Sequence, residues 1–303
     1  MGFLVEKIKH LYDFQSNYIS RNGFRYHYLD EGQGDPIVML HGNPSWSFMF
    51  RELLVALRSG YRVIVPDHMG CGLSDKPKDT DYPYTLDRRV TDLEYLLEQL
   101  GIQQNLTLVM HDWGGLIGMT YATRQPKSVS RLVVLNTAAF LLPTGKNIHW
   151  SLRLCRNSRL VAYAIRKWNI FSFVAGYLGS RSNLMTREIR RAYRGPYDSW
   201  DHRIAVLRFI EDIPLEPKHP SYALLQQTQE GLHAFQKTPT LICWGQRDFV
   251  FDGDFLDEWI WRFPEAEVHR FPKAGHNVLE DSPVAIVDLV RDFLRRHTLN
   301  SKF

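Results

Sequence analysis

From Trp113 to Arg187 the chain runs for 75 residues without an aspartate or a glutamate, although it holds 33 acidic residues in all. Cysteine is scarce too. Cys71, Cys155 and Cys243 are odd in number and widely scattered, which excludes both a disulfide framework and a metal-ligand spacing, and they are expected to be reduced and buried. No apolar run is long enough for a membrane-crossing helix. Residues 1–10 lack the apolar core and small-residue cleavage site of a secretory signal, and Glu6 stands where myristoylation wants Ser or Thr. Neither modification is expected, and a cytoplasmic location is the default. A net charge of +4 is too weak to point to nucleic acid, so no such partner is expected. Internal repeats and low-complexity segments are absent.

What is present is an ordinary globular composition, 44% hydrophobic and 23% charged, in 303 residues. That length buries one large core and leaves room for an inserted subdomain. Residues 18–20 and 24–29 alternate in the period-two manner of a hairpin around Arg21-Asn22-Gly23. Apolar strands follow at 37–40, 61–65, 106–110 and 132–136, separated by helical patterns at 46–57, 85–100 and up to about 124. Gly101 is the natural stop of the second helix. Residues 141–230 then read as mostly helical, before strands resume at 240–244 and 267–271 and a last helix runs over 283–296. Alternation of this kind predicts an α/β fold, a mostly parallel sheet flanked by helices, with an inserted helical cap. The division expected is a core of residues 1–138 and 231–303 and a cap of 139–230. Over 141–230 there are 14 Lys/Arg against 7 Asp/Glu, so the cap is at +7 and the rest at −3. A basic amphipathic face suits contact with a membrane surface or a partner; the plainer reading is a solvated cap whose apolar side lines a site.

The chain is organised around residues 106–115, LTLVMHDWGG. A buried strand, a sharp turn with a reactive side chain at its apex and a following helix make the nucleophile elbow, usually G-x-S-x-G. Here Asp112 occupies the serine position, and Gly114 and Gly115 permit close backbone approach. An N-cap aspartate on an ordinary helix is the alternative. A carboxylate nucleophile needs a base, a group that orients it and donors for developing charge. Twelve histidines are present, and His276 is singled out by following the last strand at the carboxyl edge of the sheet. For the orienting acid, the strand ending at Asn136 offers no carboxylate for fifty residues, whereas Asp248 follows the strand 240–244; Asp252 and Asp254 are weaker rivals. Asn43, in HGNP at 41–44, and Trp113 offer backbone N–H donors for an oxyanion and side-chain donors for a leaving anion. Trp113 reads equally as core packing. Residues 66–68 and 73–75 are expected to structure a loop.

HGNP at 41–44, HDWGG at 111–115, WGxxD ending at Asp248 and GH at 275–276, in this order, resemble the α/β-hydrolase superfamily, in its haloalkane dehalogenase-like branch. The resemblance implies Asp112 as nucleophile, His276 as base, Asp248 as triad acid and Asn43 with Trp113 as the anion-holding pair, with no metal or organic cofactor. Met110 replaces the first glycine of G-x-S-x-G, as in many aspartate-type relatives. Residues 136–140 followed by Pro143, 190–197 with Trp200, and 208–215 are similar to the β-lactone decarboxylases of long-chain olefin biosynthesis. Those enzymes convert cis-3,4-dialkyl-oxetan-2-ones to cis-alkenes and carbon dioxide. The likeness implies a hydrophobic small-molecule substrate, cap contacts from Tyr197, Arg191 and Arg194, and a homo-oligomer or an assembly with other olefin-pathway enzymes.

Three alternatives remain open on sequence. A haloalkane dehalogenase would use the same five residues. An epoxide hydrolase would want two cap tyrosines over Asp112, from Tyr177, Tyr193 and Tyr197. A non-catalytic scaffold on this fold conflicts with the intact set of nucleophile, base and acid.

Overall fold

The computed structural model describes residues 6–182 and 184–299. Most of the segment read for a signal, Gly2 included, lies outside them. Eight strands form one sheet in the order β1-β2-β4-β3-β5-β6-β7-β8, with β1 Asn17–Arg21, β2 Phe24–Glu31, β3 Pro36–Leu40, β4 Arg62–Pro66, β5 Leu106–Asp112, β6 Val129–Thr137, β7 Thr240–Gly245 and β8 Glu267–Phe271. β1 and β2 form the predicted hairpin, with Asn22 and Gly23 at positive φ, and β2 pairs antiparallel with β4. Every later pairing is parallel.

Parallel strands need crossovers, and the chain supplies helices for them. They are α1 Arg51–Leu57, α2 Leu86–Gln99, α3 Trp113–Arg124, α4 Trp150–Asn157, α5 Arg159–Trp168, α6 Ile170–Leu178, α7 Arg187–Arg194, α8 Ile204–Glu211, α9 Tyr222–Gly231, α10 Gly253–Arg262, α11 Val278–Asp281 and α12 Pro283–Arg296. The helix expected over 46–57 is shorter, because residues Ser47–Phe50 form a 3-10 turn before α1. α2 begins where Thr85 caps it by accepting from the Arg88 N–H, and ends before Gly101, which takes a φ of 68°.

Both faces of the sheet are covered. One core gathers Val38, Leu108 and Val134 with α2, α3 and α10; the other gathers Ile37, Val109 and Val133 with α1 and α12. Because side chains alternate along a strand, neighbouring residues of β5 serve opposite cores, and such strands read as continuous apolar runs. The helical insertion α4–α8 follows β6. α9 lies within the span expected for the cap, yet it packs on core helix α3, with Thr120 Oγ1 and Thr228 Oγ1 2.9 Å apart. Among the described residues no helix is long and apolar enough to cross a membrane.

Candidate active site

β5 is buried along all seven of its residues and stops at Asp112, whose φ of 52° and ψ of −123° lie outside the ordinary regions for an L residue. Such a turn survives only where its surroundings hold it. The Thr137 hydroxyl donates to the Asp112 carbonyl, and α3 starts at the next residue. A Cβ on Gly114 would sit 2.0 Å from the Leu40 carbonyl oxygen, and one on Gly42 would sit 2.0 Å from Oδ1 of Asp112 itself. Glycine is therefore demanded on each side of Asp112.

The two carboxylate oxygens of Asp112 have different work. Oδ1 accepts from the Asn43 N–H at 2.8 Å, and the Trp113 N–H also holds the carboxylate. Oδ2 faces Nε2 of His276 at 3.6 Å. One oxygen thus takes a backbone donor of the kind expected of an oxyanion hole, and the other faces the imidazole. Burial pushes the Asp112 carboxyl above its ordinary range, while His276 and the two N–H donors pull it back.

His276 is oriented from its other side by Asp248, Nδ1 to Oδ2 at 2.9 Å. Burial alone would discharge this ring. Asp248 and Asp112 outweigh that effect and lift its pKa to about 9, so the resting site holds an imidazolium between two carboxylates. Asp248 in turn accepts from Asn136 Nδ2 at 3.1 Å and from the Val250 N–H at 2.8 Å. Asp252 and Asp254, the rival acids, are engaged with Lys146 instead.

Two positioning residues escape sequence reasoning. Asn136, at the strand end dismissed for lacking an acid, takes a φ of 34°. It accepts from the Gly245 N–H at 2.7 Å and donates to the Gly245 carbonyl at 3.0 Å, fixing the loop that carries Asp248. His111 lies with its ring 4.6 Å from that of His276. Burial and the neighbouring imidazolium hold His111 well below the usual histidine range, so its Nε2–H donates to the His276 carbonyl at 2.9 Å. A polar residue at a strand's carboxyl end, next to the elbow in sheet order, is the one signal that could have found Asn136.

Asp112, Trp113, Asn43 and His276 all border a cavity of about 730 Å³ roofed by α4, α6 and α8. Its walls are overwhelmingly apolar, among them Leu116, Phe140, Phe171, Ile210 and Phe249. Trp113 is therefore packed, its ring 5.2 Å from Phe209, and also borders the cavity. The Asn43 side-chain amide is partly committed, since Nδ2 donates to the Val206 carbonyl at 3.0 Å.

The expected cap contacts need correction: Tyr197, Arg191 and Arg194 do not line the cavity. Tyr197 is fully buried, its hydroxyl donating to the Ser45 carbonyl at 2.7 Å, and so ties the cap to the HGNP loop. Arg191 is exposed. Arg194 lies over the Phe173 ring at 5.0 Å. Position in a cap segment did not reveal which face of it meets the substrate. The tyrosines an epoxide hydrolase would need fare no better. Tyr193 donates to Glu280 at 2.7 Å, and neither it nor Tyr177 borders the cavity.

The α/β hydrolase fold family matches residues 35–283, and the chain belongs to that family. Within it, a cis-3-alkyl-4-alkyloxetan-2-one decarboxylase of Shewanella oneidensis is 49% identical over 284 residues, spanning 94% of this chain and 89% of the relative. Another, from Xanthomonas campestris pv. campestris, is 46% identical over 286 residues, spanning 92% and 95%. The crystal structure of haloalkane dehalogenase DatA from Agrobacterium tumefaciens superposes with a TM-score of 0.84 over 96% of this chain and 99% of its own. Its identity is 23%, and that likeness concerns the fold alone. The chain is an enzyme of the α/β-hydrolase fold.

Proposed function

We propose that this chain is a β-lactone decarboxylase acting on cis-3,4-dialkyl-oxetan-2-ones. The observation that carries the reading is the 49% identity over 94% of the chain to a decarboxylase of that name. It is supported by a free Asp112 oxygen aimed into an apolar cavity large enough for two alkyl arms.

Stereochemistry favours a particular route. Oδ2 of Asp112 attacks ring carbon C4 as the C4–O1 bond breaks, which inverts C4 and frees the ring carboxylate. The strain of the four-membered ring drives this step. The C2–C3 bond then breaks, its electron pair forms the C3–C4 double bond, and the C4–Oδ2 bond breaks to restore Asp112. Carbon dioxide leaves. Inversion followed by anti fragmentation makes a cis-lactone give a cis-alkene, with no proton or water consumed. His276, charged at neutral pH, stabilises first the resting carboxylate, then the released ring carboxylate, then Asp112 again as it departs. A dry cavity strengthens each of these interactions.

A haloalkane dehalogenase would use the same nucleophile, but it must hydrolyse an alkyl ester. Esterification removes the Asp112 charge, one of the two that keep His276 protonated, and that loss would free the ring to activate water. The test is a side-by-side assay. Incubation with a synthetic cis-dialkyl β-lactone is expected to give the cis-alkene and carbon dioxide, followed by gas chromatography. Formation of the β-hydroxy acid or the trans-alkene would refute the route, and faster halide release from 1-bromobutane would favour the dehalogenase.

A further inference from the structure

The outer surface of the cap combines exposed large apolar side chains with basic ones. Trp150, Leu160, Tyr163, Trp168, Phe173 and Tyr177, on three consecutive helices, are 46 to 83% exposed. Isolated exposed apolar residues are normal on a protein surface, but a cluster of large aromatics marks a binding face. Arg153, Arg159, Lys167 and Arg181 stand among them, and among the described residues none has a carboxylate partner for its side chain. No acidic residue occurs anywhere from 113 to 187 to neutralise this arm.

Two of these helices also carry exposed residues that border the cavity. Trp150, Leu154, Val174 and Leu178 both line the cavity and are 71, 49, 46 and 45% exposed. These four come from α4 and α6, so the entrance lies beside these helices, its rim mostly apolar with Asn147 and Arg181 as the exposed polar residues that also line the cavity. A mostly apolar rim favours the entry of hydrocarbon.

We propose that this face of the cap docks on an anionic lipid bilayer. Tryptophan and tyrosine settle at the headgroup level, and arginine and lysine reach the phosphates while their stems lie along apolar surface. Juxtaposed cations and exposed aromatics are the two ingredients such peripheral binding needs, because neither term holds a protein alone. Docking places the cavity mouth against the acyl chains. That a dialkyl lactone enters from the bilayer rests on the proposed activity; the docking itself does not.

The experiment is co-sedimentation of the full chain with vesicles of phosphatidylcholine alone and of phosphatidylcholine with phosphatidylglycerol. Binding is expected only with the anionic lipid, falling as salt is raised. Combining Arg153→Glu, Arg159→Glu and Lys167→Glu should weaken partition on the order of a hundredfold, from about 1 kcal/mol per basic residue. Leu160→Ser with Trp168→Ser should weaken it further at high salt, where the apolar contribution remains. None of these five residues lines the cavity, so turnover of a short-chain lactone in vesicle-free buffer should stay unchanged. The proposal is overturned if the wild type stays unbound on anionic vesicles, if charge reversal leaves binding intact, or if neutral vesicles bind equally. It is also overturned if the same substitutions instead dissociate a dimer seen without vesicles, which would assign the face to a second copy of the chain.

Discussion

Seven consecutive residues of β5 are buried, whereas α4 has no buried residue, α5 has only Ile165 and α6 only Ser172 and Gly176. The two regions meet over one cavity and are built on opposite principles. The strand-end side is over-determined: a strained Asp112 is clamped by Thr137 and hemmed in by Gly42 and Gly114. On the cap side, α4–α6 rest on one small hydrophobic cluster around Ile165, Val206 and Ile210. Sub-ångström placement serves bond making, while admission of a long flexible substrate needs only an apolar wall that can yield.

The largest expected effect tests the strand-end side. Asp112→Asn keeps size and the Asn43 contact but removes the attacking charge, and should lower kcat by about 10⁴-fold or more, with melting temperature little changed. The measurement is single-turnover alkene formation beside a thermal melt. Retained activity would mean the carboxylate is not the attacking group.

Next in size is the seam between the regions. Arg51 Nη1 and Nη2 donate to the two Glu280 oxygens at 2.5 and 2.8 Å, and both side chains are nearly buried. Tyr193 of α7 donates to the same carboxylate, joining the cap to the core. Glu280→Gln leaves a buried guanidinium without its counter-charge and should destabilise the fold by about 3–5 kcal/mol, read from urea unfolding. Were the loss under about 1 kcal/mol, the seam would not be what joins the two regions.

A smaller effect concerns pH. The folded His276 pKa of about 9 lies above the unfolded value of about 6.5. Its contribution to stability is complete below pH 6.5 and disappears as pH rises through 9, so melting temperature should fall across that window. Activity that depends on the imidazolium should fall with it above about pH 9. Asp248→Asn removes one of the carboxylates that raise His276 and should move the alkaline limb of kcat/KM to lower pH. An unmoved limb would show that another group sets it.

How much of this was legible follows the same division. The alternation of apolar runs and helical patterns gave the sheet and the last helix, because buried parallel strands and helix caps leave local signals. The convergence of Asp112, His276 and Asp248 is legible from strand-end position and turn glycines. Arg191 and Arg194 could not be oriented, because the amphipathic pattern of α7 shows which face is apolar without showing what that face meets, and Tyr197 lies in a short turn just past that helix. Tyr197 turned toward Ser45 and Arg194 toward Phe173, long-range partners that no local spacing encodes. The role of Asn136 is illegible for the same reason, since it depends on Gly245, 109 positions away.

The smallest expected effect divides a single helix of the cap. Leu160 and Ile165 share α5, yet Leu160 is 83% exposed and Ile165 is fully buried against Val206 and Ile210. Leu160→Ser removes side-chain surface that already faces water, so its effect on unfolding free energy should stay within about 0.5 kcal/mol. Ile165→Ala on the same scaffold empties packed space and should cost about 2–5 kcal/mol if α5 unfolds with the core. If α5 unlatches on its own, both substitutions will leave global unfolding alike, and the Ile165 variant will instead speed amide exchange across α4–α6. Exchange that stays slow there, equal to that of β5, would erase the contrast between a fixed strand-end half and a yielding cap.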